Sequence, residues 1–131
     1  MSDTMSIKSG GNIRPSRAIK LSADYTAVEG AAITDNCIGI AAEGSKNAPG
    51  AFTSTYLAES GDQFEYYPSG SDCVAELGGT ATFGQFLVSA ADAQLIAAVG
   101  SASEIAIAVC YQGGAVDELV RVRVIDPYPV P

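Results

Sequence analysis

Residues 118–125, Glu-Leu-Val-Arg-Val-Arg-Val-Ile, alternate with a period of two. Val120, Val122 and Val124 fall on one side of an extended chain, and Arg121 and Arg123 on the other. A half-buried β-strand satisfies that pattern, and a helix would scatter the valines around its circumference. Just upstream, Glu104-Ile-Ala-Ile-Ala-Val-Cys-Tyr111 reads as a second strand, joined to the first through Gly113-Gly114. Turn signals punctuate the rest of the chain, among them Glu29-Gly30, Thr34-Asp-Asn36, Gly61-Asp62, Ser69-Gly-Ser-Asp72, Gly78-Gly79 and Gly100-Ser101. Turns at intervals of about 8–12 residues belong to all-β sandwiches and barrels. The expected fold is therefore all-β, a small antiparallel β-barrel or β-sandwich.

Between the turns, further strands are expected. Residues 18–28 alternate weakly and read as a first strand. Cys37–Ala42 reads as a short, mostly buried strand, with Gly39 marking a bulge or a close backbone approach. Residues 51–57 place Phe52 and Tyr56 on one face. Residues 63–67 do the same with Phe64 and Tyr66, and Pro68 ends that strand. Residues 73–77 and 86–89 follow. Residues 94–99 fit a helical turn or a strand, and the β-rich surroundings favour the strand.

The ends differ from this body. Residues 1–17 are polar and contain Ser9-Gly-Gly-Asn12 and Pro15. They read as an extended arm that orders on binding, with Met5, Ile7 and Ile13 too sparse for a core. Asp126-Pro-Tyr-Pro-Val-Pro131 reads as an extended Pro-rich tail, because proline has no donor for a sheet. The expected organisation is an arm over 1–17, one β-domain over 18–125 and a tail over 126–131. At 131 residues the chain fits a single domain with its own core.

Charge is unevenly placed. Residues 1–20 hold Lys8, Arg14, Arg17 and Lys20 against Asp3, a local charge of +3. Residues 21–131 hold Lys46, Arg121 and Arg123 against fourteen acids, a charge of −11. Such a body repels nucleic-acid phosphates, so no direct nucleic-acid partner is expected. The basic arm suits an acidic protein surface. The opening Met1-Ser-Asp-Thr has neither a basic n-region nor an apolar h-region, so no signal peptide is expected. No apolar run reaches the length of a membrane span.

Residues for chemistry are scarce. The chain has no His, which removes the commonest general base and any Ser-His or Cys-His pair. Cys37, Cys73 and Cys110 are odd in number, lie 36 and 37 residues apart, and each adjoins an apolar residue. Buried free thiols are expected, with no disulfide framework, no zinc site and synthesis in a reducing cytoplasm. Asp35, Glu43, Asp62, Asp72, Asp92 and Asp117 sit at turns and strand ends and read as solvated acids. No glycine cluster forms a GxxxxGK[ST] phosphate loop. No enzyme and no cofactor are expected. Phe52, Tyr56, Phe64, Tyr66 and Tyr67 would serve either as core or as a carbohydrate platform.

Three stretches in order carry a resemblance. They are Ile33-Thr-Asp-Asn-Cys-Ile-Gly-Ile-Ala-Ala-Glu43, then Gly78-Gly-Thr-Ala-Thr-Phe-Gly-Gln-Phe-Leu-Val-Ser-Ala-Ala-Asp92, then the run from Glu104 through Gly113-Gly114 to Val124. Together they resemble the capsid cement (decoration) proteins of tailed bacteriophages over roughly residues 30–125. The chain departs from that pattern at Gly84-Gln85, where the family has Gly-Asp. The resemblance implies a homotrimer on the outer surface of the virion. It would bind the major capsid protein where capsomers meet and stabilise the mature shell. On this reading Ile7, Ile13, Arg14 and Arg17 are the expected arm contacts with the capsid, and deleting residues 1–17 is expected to leave the fold intact. Arg121 and Arg123 are expected subunit or capsid contacts. The alternative function is a surface-displayed glycan-binding module, centred on Tyr56 and Tyr66.

Overall fold

A computed structural model of the chain describes residues 4–42, 57–98 and 104–129. Among them the first five strands are β1 (Met5–Ser9), β2 (Ala18–Ala23), β3 (Thr26–Glu29), β4 (Cys37–Ala41) and β5 (Gln63–Pro68). The next five are β6 (Asp72–Glu76), β7 (Phe86–Ser89), β8 (Leu95–Ala97), β9 (Ile105–Cys110) and β10 (Leu119–Pro129). A single 3-10 turn, Ala91–Ala93, separates β7 from β8. The expected all-β class is thus the observed one.

The first five strands close into a barrel in the order β1-β3-β2-β4-β5. β1 supplies the closure. It runs parallel to β3 and antiparallel to β5, with Met5 opposite Tyr66 and Ile7 opposite Phe64. The other five form a sheet in the order β6-β10-β9-β7-β8. One apolar cluster fills the barrel around Ile13, Ile19, Phe64 and Tyr66. A second joins Ala18, Cys37 and Ile40 of the barrel to Leu87, Leu95, Val122 and Val124 of the sheet. The barrel wall and the inner face of the second sheet therefore share one core.

Several elements differ from the sequence reading. Met5–Ser9 lies in the expected arm, yet it is a barrel strand, and Ile7 and Ile13 are 4% and 0% exposed. Ile13 also exchanges backbone bonds with Leu57-Ala58, just ahead of β5, donating to Ala58 O at 2.8 Å and accepting from Leu57 N at 2.7 Å. Three spaced apolar residues make no core by themselves. A closed barrel needs only one or two inward side chains from each short strand, and without β1 it would leave two open edges. The expected single strand over 18–28 is a hairpin, β2–β3, turning at Asp24-Tyr25 with Tyr25 at φ 53°.

The Pro-rich segment differs as well. β10 continues to Pro129, with Tyr128 opposite Ala106 and Pro129 opposite Ile105 after a register shift beyond Val124. β6 pairing ends opposite Arg123, and Val124 still bonds Ser71 O and Gly70 N on that side; past Val124 that side of β10 is an edge. Prolines are tolerated at edges and bulges because no ladder bond is asked of them there. The strand expected over 51–57 lies outside the described residues except for Leu57, and Val130-Pro131 also lie outside them.

Other expectations match. Gly39 shows both features foreseen for it. A Cβ there would lie 2.2 Å from the Tyr67 carbonyl oxygen, and the β2–β4 register shifts opposite it, between Ile19 and Lys20. Leu95–Ala97 is a strand. Val120, Val122 and Val124 are buried, with Arg121 and Arg123 outside. All three cysteines are buried.

Candidate functional site

The described residues enclose no pocket, and among them no three or more His, Cys, Asp or Glu side chains gather as metal ligands do. The features that stand out are a polar seam between the two sheets and an apolar outer face.

The seam is built by Arg14 and Arg17, which flank the Pro15-Ser16 turn. Arg14 donates through Nη2 to Glu29 Oε1 at 2.7 Å and through Nε to Glu29 Oε2 at 3.0 Å. Its own backbone N–H reaches Glu29 Oε2 at 2.7 Å. These bonds to Glu29 raise its pKa further above the ordinary arginine value, although partial burial opposes them. Arg17 donates through Nη2 to Glu76 Oε2 at 2.8 Å. Both arginines also donate to the Asp92 carbonyl, at 3.0 Å from Arg14 and 2.7 Å from Arg17. Gln94 then ties Glu76 to Asp117, at 2.6 and 2.9 Å.

The Asp92 carbonyl is aimed at the arginines by a strained turn, with Asp92 at φ 62° and Ala93 at φ 57°. Asp tolerates this left-handed region and Ala does so at a cost of about 1–2 kcal/mol. Two charged donors on one carbonyl offset that cost.

The four residues assigned by sequence to arm contacts are thus all used within the fold. Ile7 and Ile13 are core, which corrects their assignment as contacts: a side chain sealed inside a barrel cannot touch a partner. Arg14 and Arg17 hold the barrel to the second sheet. Their charge is directed at Glu29, Glu76 and Asp92 of the same chain.

Arg121 and Arg123 lie where the alternation put them, on the outer face of the second sheet. Register lays out that face in rows. Val74, Arg121 and Tyr111 form one row, since Arg121 pairs with Val74 and its carbonyl accepts the Tyr111 N–H at 2.9 Å. Asp72, Arg123, Val109 and Phe86 form the next. Tyr128 folds over Phe86, with ring centroids 5.6 Å apart. The Arg123 guanidinium lies 5.9 Å from the Tyr111 ring centroid and donates through Nε to Asp72 at 2.9 Å. That bond holds the Asp72 carboxyl below, and the Arg123 group above, their usual pKa ranges.

Outer faces of antiparallel sheets are ordinarily polar. This one exposes Phe86, Tyr111, Leu119 and Tyr128 together. A contiguous apolar patch on a soluble surface marks an interaction site, and Phe, Tyr and Arg are enriched at protein interfaces. Sequence reasoning missed the aromatic members. The parity of β10 signals that Leu119 faces outward, but only the β9 and β7 registers bring Tyr111 and Phe86 onto the same face. The aromatic residues favoured from sequence went elsewhere: Phe64 and Tyr66 are in the core, and Phe52 and Tyr56 lie outside the described residues.

No protein-family pattern matches the chain, and no curated protein matches it. Among solved structures, the chain is similar to the N base of head fiber gp8.5 in bacteriophage phi29. The identity is 16%, the match covers 98% of both chains, and the TM-score is 0.56. The likeness is one of fold, over the whole length of both.

Proposed function

We propose that the chain is a structural capsid cement protein of a tailed bacteriophage, without catalytic activity. In this reading it sits on the outer surface of the virion as a homotrimer. It binds the major capsid protein where capsomers meet, and it stabilises the mature shell. The observation that carries the reading is the end-to-end fold likeness to a phage head-fiber base. It is joined by the ordered motifs of the 33–124 region, which resemble cement proteins, another kind of structural protein of the phage head. The exposed aromatic and arginine face gives such a protein a surface to bind with, and many weak contacts repeated around a shell add up through avidity.

The glycan-binding alternative loses one of its two anchors, because Tyr66 is buried in the barrel. Burial also pushes its phenol pKa up.

Quantitative mass spectrometry of gradient-purified particles tests the proposal. A copy number close to that of the major capsid protein is the expected result. Absence of the chain from purified particles overturns it.

A further inference from the structure

The large apolar side chains left exposed among the described residues fall on two surfaces. One is the outer face of the second sheet with the turns at its end. The other is on the barrel and consists of Met5, Leu21 and Tyr25. Tyr25 tips the β2–β3 hairpin, and its hydroxyl donates to the Ser6 carbonyl at 3.1 Å. That bond ties the ring to β1, one residue from Met5. Acids flank this second surface: Asp24 adjoins Tyr25 at the hairpin tip, and Glu65 pairs opposite Ser6. Both are exposed.

Each surface carries an exposed charge: Arg121 on the sheet face and Asp24 at the hairpin tip. On the sheet face, Arg121 is exposed and in no ion pair among the described residues, as is Lys8 on β1 opposite Thr26, whereas Arg14, Arg17, Lys20 and Arg123 are each paired. Arg121 lies among Tyr111, Val74 and Leu119, with Asp72 and Glu76 on either side of Val74 along β6. The chain as a whole carries −8, so two copies repel each other except where a local match overcomes that field. An apolar face holding a free arginine and an apolar hairpin tip holding an aspartate supply such a match.

We propose that the outer face of the second sheet receives the β2–β3 hairpin of a second copy of this chain, with the partner's Asp24 set against Arg121. The inference rests on the homo-oligomer reading above and names the surfaces that make it. The contact is heterologous, since each copy offers its sheet face to one neighbour and its hairpin to the other. Repetition of such a contact closes into a ring when the rotation permits.

Sedimentation velocity of the purified full chain, over a concentration series and without capsids, tests this. The wild-type chain is expected to assemble. Arg121→Glu and Asp24→Arg, both at exposed positions, are each expected to weaken assembly about tenfold or more, in line with charged pairs at interfaces. Combining the two swaps is expected to restore it. A monomeric wild-type chain, single swaps without effect, or a double swap that restores nothing would each overturn the inference. Binding to purified shells, measured separately, keeps the two readings apart. A monomer that still binds shells overturns only the copy-to-copy contact, and a swap-sensitive oligomer that ignores shells overturns only the capsid function.

Discussion

Replacing Arg17 by alanine isolates the seam between barrel and sheet. The substitution removes the Nη2 bond to Glu76 at 2.8 Å and the Nη1 bond to the Asp92 carbonyl at 2.7 Å. The two side chains are 12% and 23% exposed, so this is a largely buried pair. Removing one partner of a buried pair costs about 3–5 kcal/mol, because the other charge is left behind. Two features lower that here. Glu76 keeps its bond from Gln94 at 2.6 Å, and Arg17 Nε has no hydrogen-bond partner among the described residues, so its desolvation is recovered when the side chain goes. The expected loss is about 2–3 kcal/mol. For a domain of this size that lowers Tm by roughly 10 °C. Urea unfolding at neutral pH should show a lower midpoint with an unchanged slope. Adding Glu76→Gln should recover part of the loss, because the stranded carboxylate is then neutral. Arg123→Ala, at a pair about half exposed on both sides, should leave the midpoint where it was. An Arg17→Ala midpoint indistinguishable from wild type would refute the reasoning and reduce the seam to a screened surface contact.

Deleting residues 1–17, which sequence alone expects to abolish capsid binding but to leave the fold intact, should abolish the cooperative fold, since it removes β1 and Ile13; circular dichroism and thermal melting would check this. The point variant Ile13→Ala should cost about 2–5 kcal/mol, read from urea midpoints. Gly39→Ala should destabilise by about 3 kcal/mol or more, because its Cβ would meet the Tyr67 carbonyl at 2.2 Å and backbone must move; a variant of wild-type stability would contradict the close approach. Burial pushes the Cys37 thiol up to about 12. An unfolded thiol ionises near pH 8.5, so below that pH the neutral buried form is fully favourable, and stability should fall as pH rises above it. Native-state labelling with a maleimide at pH 8 should leave Cys37 unmodified until the chain unfolds.

Much of the fold was legible because strands announce themselves locally. The alternation of 118–125, the turns at Gly61 and Gly70, and the run Cys37–Ala41 with Gly39 at its centre each depend on neighbours in sequence, and the structure has all of these; Gly100-Ser101 lies outside the described residues. The ends were misread for the same reason. Ile7 and Ile13 look sparse along the chain, but they become core when β1 closes a barrel against Phe64 and Tyr66, more than fifty residues away. Pro127 and Pro129 look incompatible with a sheet, yet β10 has an open side once β6 has ended, and only the strand order reveals that.

The candidate surface divides the same way. Arg121 and Arg123 were placed outward by period-two parity, a property of one strand. Their apolar company was decided by register, which brings Tyr111 beside Arg121 and Phe86 into the row of Arg123. Arg14 and Arg17 show the limit most sharply. Sequence gives two basic residues near an end, and solvent or a partner is then the simplest destination for their charge. The tertiary fold brings Glu29, Glu76 and the Asp92 carbonyl to them instead. Local pattern thus determined the strands, their buried faces and the burial of the thiols, because those follow from backbone geometry and hydrophobicity over a few residues. Which charges are paired and which apolar side chains remain exposed was decided only by long-range pairing, because both depend on what the closed barrel and the second sheet bring together.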